Sequence, residues 1–233
     1  MREVIFDTET TGLDPKTGDR MVEIGCVEMI DRVETGNSYH AYYNPERDMP
    51  AAAEAVHGLS AEFLSGKPLF SETVDELLEF LGDAPLVAHN AGFDFGFLNA
   101  ELERIGREPV SMDRMVDTVA IARKKHPGAK LSLDALCTRY GVDRSHRVKH
   151  GALLDAELLA QVYIELKGGR QIGLELASDP VSVASITASD GEATTPSKSK
   201  APRREPRPHM ASAEELAAHK EFIDSLEEAI WTR

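Results

Sequence analysis

Apolar positions along the first 170 residues change period several times, and each change marks an element. Residues 3–9 (EVIFDTE) read as a buried first strand, MVEIGCVEMIDRV (21–33) as a long second, and NSYHAYYN (37–44), with its aromatic residues, as a third. Gly, Asn and charged residues at 34–37 predict a hairpin between the second and third. The spacing then turns helical: Phe70, Val74, Leu77, Leu78 and Leu81 share one face. LVAHN (86–90) is a short apolar strand, Phe93, Phe97 and Ile105 mark the next helix, and MVDTV (115–119) predicts another strand. LSLDALCTRY (131–140) and ALLDAELLAQVYIEL (152–166) complete the series as two more helices. Three antiparallel strands followed by α/β alternation predict a mixed sheet flanked by helices.

Beyond residue 170 the pattern lapses. Residues 171–210 hold no aromatic residue and five prolines, and the stretch from Ser178 to Ser199 is rich in Ser and Thr. Such a segment buries too little apolar surface to offset its ordering entropy, so a flexible linker is expected. Periodicity returns at 211–233. Ser212 followed by Glu215 forms a capping box, and Leu216, Ile223, Leu226 and Ile230 recur at helical steps, flanked by Phe222 and Trp231. A lone helix of that length is marginal in water. It docks either on its own domain or on a partner, and the long linker favours a partner. The expected organisation is therefore 1–170 as one α/β domain, 171–210 as linker and 211–233 as a terminal helix.

Composition sharpens this picture. With 233 residues and 42% hydrophobic content the chain can build one well-buried core. It carries no membrane-length apolar run and no basic leader followed by an apolar stretch, so a soluble cytoplasmic protein with no membrane partner is expected. Cys26 and Cys137 stand far apart, without a second cysteine at metal-ligand spacing, and read as buried thiols. The net charge of −14 argues at first against nucleic acid. Its distribution points the other way, because residues 123–149 hold eight Lys or Arg against two acids. This basic stretch runs directly into the most interesting of the polar segments.

Three segments carry candidate chemistry. In DTETTG, Asp7 and Glu9 lie two apart at a strand end, so both carboxylates face the same way. Thr10, Thr11 and Gly12 follow, with hydroxyls and a permissive backbone suited to close approach by a substrate. In HNAGFDFGFL, Asp94 falls about one turn into a helix whose positive end keeps the carboxylate ionised, and Asn90 precedes it as a substrate-contact candidate. HGALLDA supplies His150 before a strong helical pattern and Asp155 in its early turns. Four carboxylates and one histidine without a cysteine suit magnesium or manganese better than zinc.

These segments resemble, in order and residue type, the three motifs of the DEDD-type 3′→5′ exonucleases of the histidine subclass. VEIGCVE, AVHGLSAEFL, LVAHNAGFDFGFL, LSLDALCTRYGVD and HGALLDAELLAQVY look most like the proofreading members of that family that serve bacterial replicative polymerases. The resemblance covers residues 3–170. It implies a ribonuclease-H-like fold with a five-stranded mixed sheet whose second strand runs antiparallel to the rest. It implies that Asp7, Glu9, Asp94 and Asp155 hold two divalent cations, Mg2+ or Mn2+, and that His150 is the general base. It also implies that His57 and Gly58 line a pocket for the terminal nucleotide of a DNA 3′ end.

Two tail features gain meaning from the same resemblance. Gln171, Leu174 and Leu176 look like the short peptides that bind the bacterial sliding clamp. The terminal helix with Phe222 and Trp231 is similar to tails that anchor to the polymerase III catalytic subunit. Two other activities remain compatible with these residues: an RNA-trimming 3′→5′ exonuclease of the same fold, and a non-catalytic adaptor joining clamp to polymerase.

Overall fold

The computed structural model describes residues 1–147, 149–169 and 211–224. These fall in two compact units, one ending before residue 178 and the other containing the terminal helix. In the first unit the strands are β1 (Arg2–Thr10), β2 (Met21–Ile30), β3 (Val33–Tyr42), β4 (Leu86–Ala88) and β5 (Met115–Asp117). Its helices are α1 (Ala51–His57), α2 (Ala61–Ser65), α3 (Phe70–Leu81), α4 (Gly92–Arg104), α5 (Thr118–Lys125), α6 (Leu133–Tyr140) and α7 (Ala152–Leu166). The strands form one sheet in the order β3-β2-β1-β4-β5. β2 is antiparallel to β1 and β3, whereas β1, β4 and β5 run parallel. This is the expected ribonuclease-H-like α/β arrangement with an antiparallel second strand.

β1 is the hinge of the design because both of its faces are covered. Val4 and Phe6 point to one side, into a core with Val74, Leu77 and Leu81 of α3 and Phe95, Leu98 and Leu102 of α4. The Phe6 and Phe95 rings meet edge to face at 5.6 Å. Ile5 points to the other side, into a core with Ala156, Leu159 and Tyr163 of α7. A third cluster packs α5 and α6 behind α7 through Ala122, Leu136, Cys137, Leu158 and Val162. Both cysteines are buried free thiols, as expected.

Gly25 on β2 sets how closely α7 approaches. It pairs with Asp7 across the ladder. A methyl group at Gly25 would come within 2.2 Å of the Leu153 backbone nitrogen, so only glycine lets the start of α7 lie against the sheet.

Two expectations need correction. The β2–β3 turn is not at 34–37 but at Asp31 and Arg32, which both adopt positive φ (51° and 67°) as a two-residue hairpin turn requires. Gly36 (φ 84°) lies inside β3, where the ladder slips register between Val27 and Met29. The Gly-Asn signal therefore marks an irregularity within a strand. MVDTV is a strand only to Asp117; the Asp117 side chain accepts from the Val119 N–H at 2.9 Å and caps α5, a helix that the hydrophobic pattern does not predict.

In the second unit, α8 spans Ala213–Asp224. Its predicted capping box is present: the Glu215 N–H donates to Ser212 Oγ at 3.2 Å, and the Ser212 N–H donates to Glu215 Oε2 at 2.8 Å. Residues 171–210, and with them Gln171, Leu174 and Leu176, lie outside the described residues, as do Leu226, Ile230 and Trp231. No helix among the described residues is long and apolar enough to cross a membrane.

Candidate active site

Alternation along β1 sorts the site's side chains. Asp7 and Glu9 share parity with Ile5 and so face α7, while Thr8 shares parity with Phe6 and faces α4. Asp155 lies in the first turn of α7 and Asp94 in the first turn of α4. Both helices thus present their N-terminal turns beside the carboxyl end of β1, near the point where the chain's strand order turns from β2 on one side to β4 on the other. Such a crevice is where open α/β sheets bind ligands.

Asp7, Glu9, Asp94, Asp155 and His150 all line one cleft of about 270 Å3, together with His89, Phe93, Asp134 and Arg147. Asp94 and Asp155 are 2% and 3% exposed. Asp94 is held from β1: its Oδ1 accepts from the Thr8 N–H at 3.1 Å and from Thr8 Oγ1 at 2.8 Å, leaving Oδ2 out of both bonds. Ligand atoms of Glu9, His150 and Asp155 lie within 4.8 Å of one another, close enough to share one ion.

The electrostatics show what this crowding costs. Burial, followed by repulsion from Asp94, Glu9 and Asp155, holds the Asp7 carboxyl well above its usual range. Burial and then the nearby Glu23 push Glu9 up to about 8. Contrary to the expectation that the helix start keeps Asp94 ionised, burial pushes it up to about 7, against the lowering effect of the Thr8 hydrogen bond. A cluster of acids that resists ionisation in this way is suited to a bound cation, whose charge reverses the local balance.

A cation from the protein itself already stands there. Arg147 Nε donates to Asp155 Oδ1 at 2.5 Å, and Nη2 donates to Asp155 Oδ2 at 2.6 Å. Nη2 also lies 2.7 Å from His150 Nδ1, and Nη1 donates to Asp134 Oδ1 at 2.8 Å. Burial opposes the Arg147 charge, but the hydrogen bond and attraction from Asp155 outweigh it and the pKa is raised. The donor set, oxygen-rich with one imidazole, and this guanidinium both indicate that the cleft accommodates positive charge.

Next to the acids is a second cleft of about 500 Å3. Thr10, Thr11, Gly12 and His57 line it, with apolar walls from Leu13, Ala53, Val56 and Phe93. Leu13 is 84% exposed at its mouth. His57 is buried; its Nδ1 accepts from the Leu59 N–H at 3.0 Å, which leaves the ring proton on Nε2. Nε2 is buried and makes no hydrogen bond of normal geometry, although the Thr10 backbone lies near it. Gly12 has a role beyond close approach to a substrate: a methyl group there would strike the Asp19 carboxylate at 2.2 Å. Asn90, at φ 64°, donates its N–H to Asp117 Oδ1 at 3.2 Å and lines neither cleft.

Sequence reasoning missed Leu13, Val56, Phe93 as a wall, Asp134 and Arg147. Arg147 is one of eight basic residues in a stretch without periodicity, so nothing in the sequence distinguishes it. Of the others, Lys125 donates to the Glu165 and Leu166 carbonyls at the end of α7, Arg144 pairs with Asp134 at 2.8 Å, and Lys149 donates to the Ala55 carbonyl at 3.0 Å. Half of the stretch's cations are thus bonded within the protein.

Comparison with known proteins agrees with this geometry. The RNase T-type exonuclease family matches residues 4–163. The DNA polymerase III epsilon subunit of Rickettsia felis is 46% identical over 229 residues, covering 97% of both chains. That of Escherichia coli is 40% identical over 230 residues, covering 96% of this chain and 92% of its own. Among solved structures, exonuclease X in complex with a 5′-overhanging duplex DNA is 27% identical, with a TM-score of 0.57 over 71% of this chain and 90% of that one. The nuclease domain of 3′hExo, a DEDDh member bound to rAMP, shares the fold at 17% identity, with a TM-score of 0.62 over 72% of this chain and 94% of that one. With the family model matching residues 4–163 and similarity to the relatives running over 96–97% of its length, the chain belongs to the exonuclease family, in the group of DNA polymerase III epsilon subunits.

Proposed function

We propose that this exonuclease removes nucleotides from DNA 3′ ends in the 3′→5′ direction, as the proofreading subunit of a bacterial replicative polymerase. The observation that carries the reading is the convergence of four carboxylates and His150 on one cleft, beside an apolar pocket that His57 lines. Asp7, Glu9, Asp94 and Asp155 would hold two divalent cations, Mg2+ or Mn2+. Bound there, the cations supply Lewis acidity at the scissile phosphodiester and charge for the departing 3′ oxygen.

The protein's own groups do the rest. Thr8 fixes the orientation of Asp94 through two hydrogen bonds to one oxygen. His150, on the exposed loop before α7, takes the proton of the attacking water through a ring nitrogen. Leu13, Val56 and Phe93 offer apolar surface to the terminal base, and His57 forms part of the same wall. Thr10, Thr11 and Gly12 form the floor of that pocket. Asn90 acts at most through the turn that leads to Asp94, since it faces neither cleft.

The tail reading rests on the relatives, which are named as DNA polymerase III subunits over nearly their full length. Residues 171–210 would tether, Gln171, Leu174 and Leu176 would engage the sliding clamp, and the helix carrying Phe222 and Trp231 would anchor the polymerase catalytic subunit. The test of the catalytic reading is cleavage of a 3′-mismatched primer with and without Mg2+, by the parent, Asp94→Ala and Asp155→Ala. Each variant should lose at least about a hundredfold in rate, with mononucleotides as the parent's product. Full activity in either folded variant would remove that residue from the site.

A further inference from the structure

Among the described residues, Arg147 is the one side chain of the cleft that binds a proposed metal ligand and the proposed base together. It engages both oxygens of Asp155, the closest ring nitrogen of His150 and Asp134 at the rim. Its side chain is 9% exposed, so these are bonds made largely out of water. A divalent cation needs an Asp155 oxygen free of such a donor. The two occupants therefore compete for the same ligand.

The imidazole is constrained as well. Arg147 Nη2 lies 2.7 Å from His150 Nδ1 and 3.3 Å from Nε2, so the guanidinium sits against the imidazole and crowds both ring nitrogens. Nδ1 also lies 3.2 Å from Asp155 Oδ2, the same oxygen that Arg147 Nη2 holds at 2.6 Å. Removing the guanidinium thus uncovers the carboxylate and the imidazole in one movement.

Space for that movement is present. Arg147 also lines a neighbouring cleft of about 480 Å3, whose wall includes Asp143 and Arg144. Arg144 already bonds Asp134, so it can keep the rim carboxylate paired when Arg147 withdraws.

We propose that Arg147 is a resident counter-cation of the active site: it neutralises the acid cluster and holds Asp155 and His150 inactive until a divalent cation displaces it. The proposal rests on the reading of the cleft as a cation site. Arg147 is accordingly a positioning residue that sets metal affinity and withholds the base, and the chain carries its own barrier to loading.

The test uses the full-length protein without nucleic acid. Mn2+ is titrated calorimetrically into the parent, Arg147→Gln and Arg147→Lys, and melting is followed in chelator and in Mn2+. Arg147→Gln should bind Mn2+ about tenfold more tightly than the parent, because the competing bidentate bonds are gone. It should also melt at a lower temperature in chelator, with the deficit reduced or abolished in Mn2+. Arg147→Lys keeps the charge but not the fork and should fall between the two in affinity. If Arg147→Gln does not fold in chelator, Asp134→Asn loosens the outer anchor of the guanidinium and should tighten Mn2+ binding in the same direction. Unchanged or weaker Mn2+ binding in the folded variants overturns the proposal. If the parent and all variants bind no Mn2+, the cation-site reading itself fails, and the proposal with it.

Discussion

Glu9 ties the chemistry proposed for the cleft to the stability of the fold. Its neighbours and its burial raise it from 4.5 to about 8, so the folded protein holds this proton more tightly than the unfolded chain does. The sign follows: the stabilising effect of the bound proton is complete below pH 4.5 and is lost as the pH rises through about 8. In chelator, the parent should melt at progressively lower temperature across that window, and Glu9→Gln should show a shallower decline. A divalent cation should recover more stability at the upper end of the window than at the lower end, since it replaces the missing proton with charge. Thermal melts of both proteins at several pH values, with and without Mn2+, check this; equal slopes for parent and variant would show that Glu9 is not the group responsible.

At the scale of elements, the site depends on how near two helix starts come to one strand. Gly25→Ala tests this without touching an acid, because the added carbon would meet the Leu153 nitrogen at 2.2 Å and force α7 away from β2. Overpacking of that kind costs about 1–3 kcal/mol, readable in urea unfolding. Displacing Asp155 should reduce nuclease activity further than the stability loss explains; a variant with native stability and activity would mean that the backbone gives way easily. The same contact illustrates what is legible in the sequence. Local period gives the direction of Asp7 and Glu9 at a strand end, and helix starts give the places of Asp94 and Asp155, but each segment is weak alone; their selection with His150 as one site comes from the resemblance of the three motifs to the DEDD-type exonucleases. The closeness of α7 to Gly25 is not legible, since it depends on a backbone 128 positions away. Arg147 is invisible for a related reason: its partners are set by how its loop folds over the cleft, not by spacing. The β2–β3 turn is misplaced because Gly36 and Asn37 compete as turn formers with Asp31 and Arg32, and only the ladder decides between them.

On the scale of the whole molecule, catalysis and attachment should be separable. Every buried apolar cluster of the described residues lies between Val4 and Leu166, so a chain ending at residue 176 retains all of that packing. It should melt at the temperature of the full-length catalytic unit and cleave a primer at the same rate. Attachment should behave in the opposite way. α8 has no buried residue, and Leu216 is 57% exposed. A helix of this length gains stability chiefly by packing an apolar face. If residues 171–210 act as the proposed tether, even modest affinity at such a face raises the local concentration of the nuclease at a polymerase into the millimolar range. Co-elution with the polymerase catalytic subunit should therefore be lost in the truncated chain and retained in an Asp94→Ala full-length protein. Co-elution of the truncated chain would move the anchor into the α/β unit, where the exposed face of the edge strand β3 would be the first surface to examine.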